Sequence, residues 1–129
     1  MSWDDEYHFH SPRYRTFDKA LIEEKLRSFP YTAQCKDRYG SPFYLIVGDE
    51  EAKRFIHDQR SENLSASQLE ARGSFVWVED DQVVVSGCPF DGGSVDEVVR
   101  SFCAWLLDEF GCSIKDEFGS PTSVEEMFR

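Results

Sequence analysis

The chain has 129 residues, the length of one domain, and carries 25 acidic against 14 basic side chains for a formal net charge of −11. The excess is concentrated: residues 73–129 hold 12 acids and only three bases (Arg100, Lys115, Arg129), whereas residues 1–72 hold 13 acids and 11 bases. Such a field repels nucleic acid and anionic membrane and attracts basic proteins, while 40% apolar and 15% aromatic residues exclude a disordered acidic tail.

In chain order, residues 1–15 are polar and aromatic with Ser11-Pro12 inside and read as an N-terminal arm outside a single domain over 16–129. Thr16 offers an N-cap for a helix over 17–29, with Leu21, Ile22, Leu26 and Phe29 on one face and Pro30 as its stop. Tyr31–Asp37 and Phe43–Val47 read as a hairpin across the turn cluster Arg38–Pro42, the second strand apolar enough to be covered on both faces. Asp49 caps a helix over 50–60, favoured by Glu50 and Glu51 in its first turn. Ser61–Gly73 is Ser-rich and weakly apolar, an expected exposed excursion in which Ser67 and Glu70 cap a short turn.

Phe75–Val78 and Val83–Val85 are β-branched and aromatic strands joined by Glu79–Gln82, with a two-residue turn at Asp80-Asp81 in which Asp tolerates the left-handed region. Ser94 and Glu97 form a capping box for a long helix that Gly111 closes. Its apolar positions, from Val95 to Phe110 and including Cys103, Trp105 and Leu107, sweep an arc of about 200°, twice the stripe of an ordinary surface helix. The arc predicts cover on two sides, by the sheet and by a further helix or a second subunit, which makes a homodimer an expectation. Thr122 and Glu125 cap a last turn carrying Val124, Met127 and Phe128. The order is α-ββ-α-ββ-α plus a short C-terminal helix, and hairpins imply antiparallel pairing. The expected class is α+β, two-layer, with an antiparallel sheet of about four strands and helices on one face.

The longest apolar run, Phe102–Leu107, falls far short of the roughly 20 residues a membrane helix needs. The acidic start, Met1–Glu6, lacks the basic and apolar character of a signal peptide, so a cytoplasmic location and reduced thiols at Cys35, Cys88, Cys103 and Cys112 are expected. No C-x-x-C pair is present.

Chemistry-bearing groups are few. His8 and His10 lie on one side of an extended segment near Asp4, Asp5 and Glu6, a spacing that suits a divalent ion but brings no third fixed ligand; a titrating arm is the plainer reading. Cys88 stands shortly before a helix N-terminus, where thiols acidify, yet no His follows His57, so a Cys-then-His catalytic order is impossible. Asp91-Gly92-Gly93-Ser94 resembles an anion-cradling turn without the Lys of a phosphate loop, and Asp91 repels phosphate. Glu79-Asp80-Asp81 lacks the spaced ligands of a calcium loop. No nucleophile elbow or H-E-x-x-H is present, and the aromatics are not interleaved with Lys or Arg.

No catalytic residue, metal or cofactor is assigned, and a non-enzymatic role is favoured. In size, charge and α-β-α order, though not in any motif, the chain resembles small acidic bacterial secretion chaperones. Inhibitors of basic nucleases and immunity proteins share that profile. It implies a binding module that docks on a basic protein partner, with no nucleic acid and no membrane. The residues expected to carry binding are Trp77, Glu79, Asp80, Asp81, Asp91, Trp105, Asp108 and Glu109. The alternative is a small enzyme or ligand-binding domain with a site between the sheet and the long helix near Cys88 and Trp105; a deep pocket there distinguishes it from a binder.

Overall fold

A computed structural model describes residues 6–12 and 15–129. The elements run β1 (Glu6–His10), α1 (Lys19–Arg27), β2 (Thr32–Lys36), β3 (Pro42–Val47), α2 (Glu50–Gln59), a 3₁₀ turn (Ser61–Asn63), α3 (Ala66–Glu70), β4 (Gly73–Val78), β5 (Gln82–Ser86), α4 (Ser94–Phe110), β6 (Ser113–Lys115) and α5 (Val124–Met127). One antiparallel sheet of six strands has the order β2-β3-β4-β5-β1-β6, so the fold is α+β as the sequence implies.

The strand count corrects the expected four, because Glu6–His10, within the expected arm, is a strand of the sheet; residues 1–5, 13 and 14 of that arm lie outside the described residues. Glu6–His10 pairs with β5 on one side and with β6 on the other. Phe9 is fully buried there. Within β1, Tyr7 and Phe9 face one way and Glu6, His8 and His10 the other, the period of 2 that every strand imposes. β6, a three-residue strand after the Gly111 cap, was also unforeseen.

The single helical layer is likewise corrected. Pairing registers assign each strand residue to a face, and the two faces carry separate cores. On one, Phe9, Tyr44, Ile46, Val76, Val83, Val85 and Ile114 pack under α1, α4 and α5. On the other, Ala33, Cys35, Phe43, Leu45, Val47 and Phe75 pack under α2 and α3. Phe43–Val47 is buried throughout because β3 lies beneath both layers, as its unbroken apolar run predicts. The stretch between α2 and β4 is therefore not an exposed excursion: Leu69 is buried against the sheet, and α3 is capped by Ser65 with Gln68, not by Ser67 with Glu70.

At α1 the cap is Asp18, which accepts the Leu21 N–H, and not Thr16. At α4 the expected capping box is absent; the N-cap is Gly93 and Ser94 is already helical. Two aspartates replace the box. The Asp91 carboxylate accepts N–H bonds from Gly93, Val95 and Asp96. Asp96, only 7% exposed, reaches back to accept the N–H groups of Phe90 and Gly92, both at 2.6 Å. At the far end Gly111 adopts the left-handed conformation and returns its N–H to Leu107.

The wide apolar arc of α4 is covered inside the chain. Val95, Val99, Phe102, Cys103 and Leu106 are buried against the sheet. Trp105 stacks beside Phe102, meets Phe110 edge-on and lies under the Lys25 ammonium of α1. Phe17 meets Phe110, and Met127 of α5 is fully buried. α5 is capped by Ser123, one residue beyond the expected Thr122. The observation behind a dimer is thus met by α1 and α5 of the same chain. No helix among the described residues is long and apolar enough to cross a membrane.

Candidate functional site

The second helical layer is incomplete. α2 and α3 cover β2, β3 and the start of β4, and among the described residues no helix covers the same face of β5, β1 and β6, where Val84 is buried and its neighbours are half-buried. Residues on that helix-free half alternate with core residues along each strand: Trp77 of β4, Gln82, Val84 and Ser86 of β5, and Glu6, His8 and His10 of β1. At the boundary between the covered and helix-free halves the Phe75 and Trp77 rings stack, centroids 5.2 Å apart and planes 3° from parallel.

A groove of about 360 Å³ lies on this boundary. Phe75 and Trp77 form its floor, Ala66 and Glu70 of α3 one wall, and Gly87, Pro89 and Phe90 the other, with Glu6 and Ser86 at one end. Gly73 is part of the lining and has a packing reason to be glycine: a Cβ there would collide with the Ile46 carbonyl of β3. The second wall is held by hydrogen bonds. The Ser74 hydroxyl donates to the Gly87 carbonyl at 2.8 Å, and Asp96 ties Phe90 and Gly92 to the start of α4. A smaller hollow of about 250 Å³ adjoins it, sharing Glu6 and Trp77 and adding His8, Glu79, Gln82 and Val84.

Electrostatically the groove is one-sided. Its carboxylates are Glu6 and Glu70, with Glu79 in the adjoining hollow, and among the described residues no lysine or arginine lines either space. His8 lies 3.0 Å through Nδ1 from the Gln82 side-chain oxygen and 3.8 Å through Nε2 from Glu6. His10 stacks on His8 at 6.2 Å. Among the described residues no three His, Cys, Asp or Glu side chains converge to hold a metal ion; Asp4 and Asp5 lie outside those residues.

The expected binding residues do not form one site. Trp77 and Glu79 line the groove and its neighbour. Asp80 and Asp81 form the β4–β5 hairpin tip, where the Glu79 N–H bonds the Gln82 carbonyl and neither aspartate needs the left-handed conformation. That tip is tied to the chain before α1: the Phe17 N–H donates to the Asp80 carbonyl, the Ser11 N–H to that of Asp81, and Lys19 lies 3.7 Å from the Asp80 carboxylate. Asp91 is a helix cap. Burial alone would raise its carboxyl, but the N–H groups of Gly93, Val95, Asp96 and Asp91 itself outweigh that and hold it below the usual aspartate range. Trp105, Asp108 and Glu109 belong to α4, on the opposite face of the sheet from Trp77.

Between the sheet and the long helix, where the alternative reading sets its site, the side chains around Cys88 are packed, and the groove opens beside them at Gly87, Pro89 and Phe90. Cys88, Val99, Phe102 and Cys103 are 0% exposed. All four cysteines are buried, and none is in a disulfide. Burial pushes Cys35 and Cys112 up to about 11, and burial together with the Cys88 and Cys112 thiols pushes Cys103 well above the usual range. Burial of this kind disfavours the thiolate form of Cys35, Cys103 and Cys112.

The groove residues missed from the sequence are Glu6, Glu70, Phe75 and Phe90. For Glu6 a signal was present, the alternation of Glu6, His8 and His10 with Tyr7 and Phe9. For Glu70 and Phe90 there was none, because their convergence depends on where α3 and the β5–α4 loop come to rest. No protein-family model, curated protein or solved structure matches this chain.

Proposed function

We propose that this protein is a binding module that takes a basic protein partner on the helix-free half of its sheet. The observation that carries the reading is the groove itself: a stacked Phe75–Trp77 floor with Glu6 and Glu70 at its rim and no cationic side chain among its described lining. A guanidinium or ammonium entering it meets aromatic faces below and carboxylates beside it, an arrangement worth about 0.5–2 kcal/mol per cation from the aromatics alone. Glu79, the hairpin tip and the net charge of −11 extend the same field outward and favour rapid encounter with a positive surface. The two rings supply the rigid apolar anchor that interface hot spots use. Asp108 and Glu109, exposed on the other side of the molecule, contribute to the long-range field and not to the contact.

The test is affinity capture from a native lysate at low and at high salt, with wild-type protein and with the Trp77→Ala and Glu70→Lys variants. The reading expects basic proteins retained by the wild type, released as salt rises, and lost with both variants. Retention that ignores both substitutions, or partners that are acidic, would overturn it.

A further inference from the structure

The far edge of the sheet presents a second surface, basic at one end. β2 is an edge strand, and its backbone pairing can be read from its flanks. The Val47 N–H bonds the Tyr31 carbonyl and the Asp37 N–H bonds the Ser41 carbonyl. Hydrogen-bonded pairs alternate along an antiparallel ladder, so Ala33 and Cys35 point their backbone groups at β3, and Thr32, Gln34 and Lys36 point theirs outward. An outward row is a template for another strand, and proteins usually block it.

Here the block covers only part of the row. The Ser61 hydroxyl accepts the Lys36 N–H at 2.8 Å and donates to the Lys36 carbonyl at 3.1 Å, which closes that end. Arg60 turns the chain to bring Ser61 there, at φ 62° and ψ 119°, a conformation costly for any residue with a side chain. At the other end the Thr32 N–H makes a 3.4 Å bond to the Phe29 carbonyl. The Gln34 N–H and C=O remain outward between the two blocks.

Around this opening the charge is divided: towards Lys36 a cleft of about 980 Å³ carries Glu23, Asp58 and Glu62 beside Lys36 and Arg60, and towards Thr32 the lining is basic. A cleft of about 570 Å³ wraps the β2 edge between α1 and α2, lined by Arg27, Lys53, Arg54 and His57 against the single carboxylate of Glu50. Arg27 and Arg54 have ion pairs within their own helices, but at 3.9 Å and largely exposed, so these hold the guanidinium groups only weakly. Thr32 also lines the cleft. It is 6% exposed, and its hydroxyl has no hydrogen-bond partner among the described residues. A buried hydroxyl left unbonded is uncommon and marks a place where a partner is missing.

We propose that the β2 edge is a docking site for an acidic extended peptide segment, which adds a short strand at Gln34 and sets its carboxylates among Arg27, Lys53 and Arg54. Backbone bonds at Gln34 supply the register, and the cationic rim supplies the preference for Glu or Asp on the incoming strand. The site is independent of the acidic groove beside β5.

The experiment uses the whole chain and two labelled peptides, one alternating glutamate with valine and one alternating lysine with valine, read by fluorescence anisotropy. The acidic peptide is expected to bind and the lysine peptide not to. Lys53→Glu together with Arg54→Glu should weaken binding about tenfold, the sum of two surface charge pairs lost and reversed. Gln34→Pro removes an N–H that β3 does not use and should abolish binding while leaving the melting transition cooperative. If that variant does not fold, the Gln34 amide resonance of the wild-type protein decides, since a strand adding there must shift it. Equal binding of both peptides, no binding of the acidic one, an unmoved Gln34 amide, or sedimentation showing the edge already closed by a second copy would each overturn the proposal.

Discussion

Replacing Asp96 by alanine should destabilise the protein far more than replacing Ser94 or Glu97. Asp96 accepts two N–H bonds at 2.6 Å from Phe90 and Gly92 while only 7% exposed. Bonds to an ionised acceptor contribute about 1.5–3 kcal/mol each, and the exposed Gly92 recovers part of its loss from water, so Asp96→Ala should cost about 3 kcal/mol. For a domain of this size that is a fall of roughly 10 °C in Tm. Ser94→Ala and Glu97→Ala should each stay within about 0.5 kcal/mol, because both residues lie on the exposed side of α4 and neither makes a cap bond. A capping box predicts the reverse ranking, a loss of about 1 kcal/mol at Ser94. Urea denaturation of the three variants separates the two. A loss below about 0.5 kcal/mol at Asp96 would refute the reasoning, since it would mean that water replaces the carboxylate freely. Asp96→Ala should also weaken partner capture, because Phe90 forms one wall of the groove.

Four further outcomes are expected. Phe102→Ala, emptying a fully buried site between α4 and the sheet, should cost about 3–5 kcal/mol by chemical denaturation. The four thiols should resist an aromatic disulfide reagent in the native protein and react together on unfolding, because all are buried and those of Cys35 and Cys112 ionise only near 11; a thiol that reacts at once would show a looser core. Asp91 ionises more easily folded than unfolded, so its contribution is complete above the ordinary aspartate value of about 4 and disappears as pH falls through its lowered folded value; Asp91→Asn should flatten the acid limb of the stability profile and leave the slope near neutrality unchanged. Arg60→Gly should raise stability by about 1 kcal/mol, relief of strain less the extra chain entropy of glycine, as read from the shift in denaturation midpoint.

Much of the secondary structure was legible because local rules wrote it. Alternating and unbroken apolar runs located β2 to β5, and Asp49, Gly111 and the 3.6-residue period located α2 and α4. Caps were read less well. At α1, α3 and α5 the true cap lay one or two residues from the nearest matching motif, because Ser, Thr and Asp are abundant at each start and only the final φ/ψ decides among them. At α4 a matching capping box was present in the sequence and went unused: the Glu97 N–H bonds the Gly93 carbonyl, and Asp91 and Asp96 accept other N–H groups of the turn, from Phe90 to Asp96.

Sequence alone determined the charge, the α+β class, the antiparallel hairpins and the presence of more apolar surface on α4 than one neighbour can cover. It could not determine where the two helical layers lie, because a strand residue's face is fixed only once register and sheet order are known. Trp77 and Trp105 look equivalent in the chain, yet one floors an open groove and the other packs under α1 on the opposite face of the sheet. The N-terminal strand was lost to sequence reading for the same reason. Glu6–His10 has no partner within 70 residues, and its place between β5 and β6 is set by long-range pairing and not by local propensity.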